Sequence, residues 1–254
     1  MKRQSKFASA MPSRPIIGDG WFKIEKLYDK YISDGISKSE LIPKKIHQVW
    51  IGGSMPQKFQ DCVDSIRRIN PDYEYKLWTL DDVDEFQLKN RKLFDEVDNL
   101  GCKSDIFRYE ILERHGGIYL DTDFIGLKSF DTLLGYELFG GTAYVEKPEV
   151  LNGLLGCVPN HPVMIECVNR LSKKQPKIFD RDAYGVIKFS GPWFFTEVFL
   201  DLIQEDSNAL ILPEKYFYSF PSKLRNQFEQ RMIDQYKTVD SFVSHLWGCS
   251  WQKK

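Results

Sequence analysis

Residues 103–123 read KSDIFRYEILERHGGIYLDTD, and this stretch decides the fold. Ser104 is placed to cap a helix whose apolar positions Ile106, Phe107, Tyr109 and Ile111 fall on one side, and Gly116-Gly117 ends it. Ile118-Tyr119-Leu120 then predicts a short buried strand with Asp121-Thr122-Asp123 at its carboxyl end. In open α/β sheets ligands bind at that end. Two carboxylates one residue apart suit Mg²⁺ or Mn²⁺, hard cations that take carboxylate and phosphate oxygens and keep some water. The chemistry expected is that of a metal-bound diphosphate.

The same D-x-D spacing occurs at Asp82-Val83-Asp84 and Asp180-Arg181-Asp182. The first follows Thr79 in an acidic stretch that reads as the first turn of a helix, where Asp is favoured electrostatically. The third lies among polar residues with no apolar strand before it. Both are expected to be solvated charges, and only the middle copy has strand, turn and helix around it.

Outward from this unit the pattern is α/β. Lys45 to Ile51 predicts a strand closed by Gly52-Gly53, and Phe59, Cys62, Val63, Ile66 and Ile69 mark a helix that stops at Asn70-Pro71. Tyr73 to Trp78 predicts a second strand and Asp81 to about Val97 a second helix. Strand–helix alternation implies a mainly parallel sheet with right-handed crossovers, flanked by helices. The second half is less regular, with a helix expected from Pro162 to Leu171. Residues 1–20 read as irregular, and Trp21, Ile24, Leu27, Tyr28, Tyr31 and Ile32 then fall at helical spacing. Such a stripe is core packing; Lys23, Lys26 and Lys30 offer the alternative of a peripheral membrane face.

The 254 residues, 42% of them hydrophobic, suffice for one large domain with a sizeable core. A net charge of −1, from 35 basic and 36 acidic residues, gives no general attraction for nucleic acid. Five cysteines, an odd number without C-x-x-C spacing, argue against a disulfide framework and a zinc site and for a reducing compartment. No apolar run is long enough for a signal peptide or a membrane span, so a cytoplasmic protein is expected.

Four ordered blocks carry a family resemblance: Ile42 to Gly53 (IPKKIHQVWIGG), Asn70-Pro71-Asp72-Tyr73, Ser104-Asp105 to Arg108-Tyr109, and Gly116 to Asp123. Together they resemble the DXD-containing sugar transferases of glycosyltransferase family 32. That group includes bacterial capsule enzymes and yeast α-mannosyltransferases and is related to the glucosylating clostridial toxins. The resemblance is close over residues 42–130 and recurs at Asn152-Gly153, His161-Pro162, Gly191-Pro192 and His245 to Trp251. It implies a GT-A fold, with an N-terminal segment over 1–40 and a transferase domain over 41–254. The nucleotide-sugar half is then 41–130, and the acceptor half with its closing C-terminal segment is 131–254. It also implies a nucleoside diphosphate sugar donor, UDP-linked in preference to GDP-linked, with Mn²⁺ or Mg²⁺ and retention of anomeric configuration. By analogy with the bacterial members, the acceptor is a capsular or other surface glycan on a lipid carrier at the inner membrane face.

The resemblance also distributes roles. Trp50 stacks on the nucleobase, Tyr119 lies near base and ribose, and Asn152 and Gly153 join the donor site. Asp105 and Arg108, three apart and hence neighbours on a helix, hold the transferred sugar; the bland reading is a local ion pair. Asp123 leads as metal ligand, with Asp121 contacting ribose and sugar or reaching the metal through water. His245, Ser250 and Trp251 match a C-terminal segment that closes over the diphosphate, His245 being an acceptable Mn²⁺ ligand. His115 and His161 read as structural.

No residue declares itself as the base an inverting transferase would need. Two other classes stay open at this stage. One is a haloacid-dehalogenase-like phosphatase, which also places D-x-D after a strand. The other is a catalytically silent carbohydrate-binding protein on the same fold.

Overall fold

A computed structural model describes residues 6–7, 19–34, 39–144, 148–175, 183–225 and 229–248. Its central sheet has six strands in the order β2-β1-β3-β6-β5-β7. These are β1 (Lys45–Val49), β2 (Glu74–Trp78), β3 (Gly117–Leu120), β5 (Leu138–Tyr144), β6 (Pro148–Cys157) and β7 (Ala209–Leu212). β1 pairs parallel with β2 and β3, and β5 pairs parallel with β7, whereas β6 runs antiparallel between β3 and β5. The sheet is thus mainly parallel, as the strand–helix alternation requires, with one reversed strand that the irregular second half concealed.

Helix α1 (Asp19–Asp34) buries Trp21, Ile24, Leu27 and Tyr28, so the aromatic stripe is core packing. Tyr28 meets Tyr216 hydroxyl to hydroxyl at 3.1 Å, and Lys23 donates to the Ile203 carbonyl at 2.9 Å. Helix α2 (Gln57–Ile69) stops at Asn70, whose side-chain amide donates to the Ile66 carbonyl at 2.9 Å. The helix expected over 81–97 is instead two short ones, α3 (Asp81–Phe86) and α4 (Arg91–Glu96), parted at Gln87 with φ 57°. The cause lies in a neighbour: the buried Glu110 carboxylate accepts from the backbone amides of Lys89 and Asn90 at 2.6 and 2.7 Å, which bends the chain there. The Asp82-Val83-Asp84 motif is structural, with Asp82 paired to Lys76 and accepting from the Thr79 amide, and Asp84 paired to Arg91. Asp180-Arg181-Asp182 lies outside the described residues.

Helix α5 (Leu100–His115) starts four residues before Ser104, because Asn99 caps it by accepting from the amides of Gly101 and Cys102. It is also buried on nearly every side, not on one, from Cys102 through Glu113. Such a helix lies inside the molecule, where its polar side chains must find partners. Gly116 and Gly117 follow at φ 60° and 85°, and an added Cβ would sit 2.6 Å from Pro159 and 2.8 Å from the Lys45 carbonyl oxygen. Only glycine makes this turn without strain. His47 on β1 fixes it, its Nε2 lying 3.1 Å from the Gly116 carbonyl while Nδ1 accepts from the Trp78 indole at 3.2 Å. Burial lowers the His47 pKa to about 3, so the ring is neutral in this role.

β3 therefore emerges from the core and delivers the D-x-D segment at its carboxyl end. Just beyond it, β4 (Phe124–Gly126) pairs antiparallel with β8 (Val243–His245), setting Phe124 opposite His245. This two-stranded ladder brings the end of the described chain back to Asp123. In the second half α6 (Pro162–Ser172) packs on α5, α7 (Ala183–Phe189) leads into α8 (Pro192–Leu202), which packs on β6, and α9 (Glu214–Phe217) and α10 (Gln230–Tyr236) follow. His161 caps α6 by accepting from the Val163 amide, and His115 closes α5 against the Trp78 ring. No helix among the described residues is long and apolar enough to cross a membrane, and Cys62, Cys102, Cys157 and Cys167 are buried and form no disulfide among the described residues.

Candidate active site

The D-x-D segment opens onto a cavity of about 820 Å³, within the usual range for ligand sites. One wall is the end of β1 and the following turn, including Trp50, Gly52 and Gly53; another is the face of α5 that carries Leu100, Ser104, Asp105 and Arg108. Asp121, Asp123 and His245 form the floor. One donor atom from each of these three lies within 4.8 Å of the others.

Asp123 is buried and held from two directions. Its Oδ1 is 3.2 Å from His245 Nε2, and its Oδ2 accepts from the Gly248 amide at 2.6 Å. Burial alone would raise its pKa, but His245 and the Gly248 amide outweigh this and hold the carboxyl below its ordinary value. Asp121 keeps 31% of its side chain exposed toward the cavity. The protein around it and the neighbouring Asp123 raise its pKa, opposed by Arg108. Its Oδ1 accepts from the Tyr119 hydroxyl at 2.8 Å and lies 3.0 Å from the Arg108 guanidinium. Gly153 makes room for this carboxylate, since a Cβ there would lie 2.9 Å from Asp121 Oδ2, and its carbonyl accepts from the Asp121 amide at 2.9 Å.

A two-carboxylate, one-imidazole set of hard and borderline donors fits Mn²⁺ or Mg²⁺. His245 adds a specific sign. Its Nδ1 is buried without a hydrogen-bond partner among the described residues, and its ring stacks on Phe124 at 4.5 Å. Nε2, on the other edge of the ring, is the nitrogen that faces Asp123, so it is this edge that could join the two carboxylates around a cation.

Arg108 does more than pair locally with Asp105. It is 5% exposed, lies 3.2 Å from Asp105 and 3.0 Å from Asp121, donates to the Asn152 carbonyl at 2.7 Å, and packs over the Tyr119 ring. Asp105 accepts from the Asn152 amide and the Ser190 hydroxyl, both at 2.8 Å, and burial raises its pKa to about 6. The Asn152 amide also donates to the Tyr109 hydroxyl, which in turn donates to the Ser190 carbonyl at 2.7 Å. One buried network therefore ties α5, β6 and the turn before α8 to the D-x-D carboxylate.

Two expected contacts are revised. Tyr119 is fully buried and does not line the cavity; its hydroxyl supports Asp121 from behind, so direct contact with base and ribose is not available to it. Asn152 lines the cavity, yet its side-chain amide is turned inward to Asp105 and Tyr109. Trp50 stands at the cavity wall, its indole donating to the Gly53 carbonyl at 2.8 Å and its ring 5.4 Å from Phe59. Ser250 and Trp251 lie outside the described residues. The sequence reading passed over Glu149, Tyr184 and Trp193, which also line the cavity. No motif marks them, and only the fold brings them to the D-x-D strand.

A strand-end carboxylate pair, an imidazole beside it and an aromatic-walled cavity on this sheet are the arrangement expected of a glycosyltransferase of GT-A type. Residues 56–139 match the family model described as "Glycosyltransferase sugar-binding region containing DXD motif". An uncharacterized glycosyltransferase of Acanthamoeba polyphaga mimivirus is 31% identical over 228 residues, 83% of this chain and 84% of its own length. Inositol phosphoceramide mannosyltransferase 1 of Schizosaccharomyces pombe is 29% identical over 87% of this chain, which spans just under two thirds, 66%, of that protein. Among solved structures, PaToxG glycosyltransferase superposes with a TM-score of 0.52 at 19% identity, over 72% of this chain and 76% of that one. The chain belongs to the DXD-containing glycosyltransferases of family 32. That membership displaces the phosphatase reading of the D-x-D motif.

Proposed function

We propose that the protein transfers a hexose from a nucleoside diphosphate sugar to a hydroxyl of a glycan or glycolipid acceptor, with retention of configuration and dependence on a divalent cation. The observation that carries this reading is the convergence of Asp121, Asp123 and His245 within 4.8 Å on the floor of a cavity with Trp50 at its wall. These three residues would hold the cation, whose chemistry when bound is to offset the charge developing on the departing diphosphate. Arg108 and Asp105 hold the floor rigid and orient Asp121 toward the sugar. Trp50 offers its ring to the nucleobase. Ser250 and Trp251 follow Gly248 in sequence and keep their proposed role in closing the site.

The S. pombe relative is named a mannosyltransferase of inositol phosphoceramide. This favours a mannosyl donor, and shifts the preference from a UDP-sugar toward GDP-mannose. The test is nucleoside diphosphate release from a panel of UDP- and GDP-sugars with and without Mn²⁺, with the product's anomeric proton read by NMR. Metal-stimulated release and a retained anomer support the reading. Metal-independent release, or an inverted product, overturns the corresponding part of it.

A further inference from the structure

Beyond the floor, the cavity runs on to a second wall built by the start of β6 and by α7 and α8. Three side chains decide what this wall takes. Tyr184 is 55% exposed, and its ring meets that of Trp193 at 4.9 Å and 79°, forming an aromatic corner. At its base Glu149 is only 5% exposed, and the Trp193 indole donates to its carboxylate. The corner is rigid, because Thr196 on α8 accepts from the Val150 amide at 2.9 Å and so stitches that helix to β6 beside Glu149.

The chemistry of this wall is selective. Aromatic faces pack against the C–H face of a hydroxylated ring, and a carboxylate has about four acceptor sites, so accepting from the Trp193 indole does not by itself prevent Glu149 from accepting from a ring hydroxyl. The wall is also distinct from the donor cluster. At about 3.3 Å per residue, Glu149 lies roughly 10 Å along β6 from Asn152, leaving room for a ring of its own.

We propose that Tyr184, Trp193 and Glu149 form the acceptor subsite and take a neutral hydroxylated ring, a pyranose or a cyclitol, stacked in the aromatic corner with its hydroxyls donated to Glu149. The inference rests on the glycosyl-transfer reading of the cavity. It makes these residues the determinants of acceptor choice, with no part in holding the nucleotide.

The test is saturation-transfer NMR on the full chain with nucleoside diphosphate and Mg²⁺ present, using millimolar methyl α-mannoside, methyl β-galactoside and myo-inositol as separate probes. Wild-type protein is expected to saturate at least one ring, and the pattern across probes says whether pyranose or cyclitol is preferred. Tyr184→Ala and Glu149→Gln are each expected to weaken that binding about tenfold, while nucleotide affinity stays within about twofold. Tyr184 is exposed, so its variant reports even where Glu149→Gln fails to fold. Nucleotide binding without saturation of any probe overturns the subsite and leaves the donor reading standing; loss of both in wild type overturns both. Unaltered ring binding in the variants also overturns it. So does a Glu149→Gln enzyme whose kcat collapses at unchanged acceptor KM, because that is the signature of a base.

Discussion

His245 and Asp123 face one another across 3.2 Å, brought together by a ladder of three residues on each side, Phe124–Gly126 against Val243–His245. The pairing explains how an imidazole so far along the chain from the D-x-D segment reaches its second carboxylate. β4 begins at the residue after Asp123, so the strand that fixes the carboxylate also fixes the register of its partner.

The buried position of Arg108 changes what its replacement should do. As a simple sugar-binding side chain it would be removed at little structural cost. In the structure its removal leaves Asp105 buried without its cation, a loss of about 3–5 kcal/mol. Arg108→Ala should therefore melt ~10 °C lower, by scanning calorimetry, as well as losing turnover. Arg108→Lys keeps the charge but cannot serve Asn152, Asp105 and Asp121 together, and should lose at least about tenfold in turnover with a smaller drop in melting temperature. Full turnover in Arg108→Lys would make the guanidinium a structural tie alone.

Asp105 gives a pH dependence with a definite sign. Its pKa rises from the ordinary 3.8 to about 6 on folding, so the native state holds this proton more tightly than the unfolded chain. Its contribution to stability therefore falls as pH rises between these values and is level above them. Relative to Asp105→Asn, wild-type protein should lose stability between about pH 4 and pH 6 in urea titrations. Turnover should move the other way and decline as pH falls through about 6, where the ion pair with Arg108 is lost. A relative gain in wild-type stability over that interval contradicts the assignment.

Gly153 tests how finely Asp121 must be placed. The Cβ of Gly153→Ala would lie 2.9 Å from Asp121 Oδ2, and a carboxylate tip moves more easily than backbone. The variant should fold, with a stability loss of about 1 kcal/mol, yet turn over several-fold more slowly because the carboxylate is displaced. Normal turnover at unchanged metal affinity would show that Asp121 tolerates the shift.

Much of the site was legible because its residues sit in local patterns. The strand run into Gly52, the helix ending at Asn70-Pro71 and the glycine-turned strand before Asp121 each stay within one element, and β1, α2 and β3 appear where they were expected. What was hidden depends on partners far along the chain. Asn99 caps α5 in place of Ser104 because Ser104 instead meets the Tyr119 hydroxyl and the Arg108 guanidinium. Glu110 splits the helix expected over 81–97. The reversed strand β6 and the three-residue strands β4 and β8 are set by pairing, which hydrophobic period does not encode. Tyr119 and Asp121 alternate onto one side of their strand, but alternation gives direction and not depth, and Tyr119 lies buried behind the carboxylate. Glu149, Tyr184 and Trp193 converge only in the folded molecule.

The central claim is that Asp121, Asp123 and His245 together hold the cation that serves the donor diphosphate. Its most direct test is Mn²⁺ titration, followed by electron paramagnetic resonance, of wild type, His245→Ala and Asp123→Asn in the presence of nucleoside diphosphate. The account predicts one tight Mn²⁺ per chain in wild type, weakened at least about tenfold by His245→Ala and lost in Asp123→Asn, with both variants folded by circular dichroism. Equal Mn²⁺ affinity in all three proteins would contradict it.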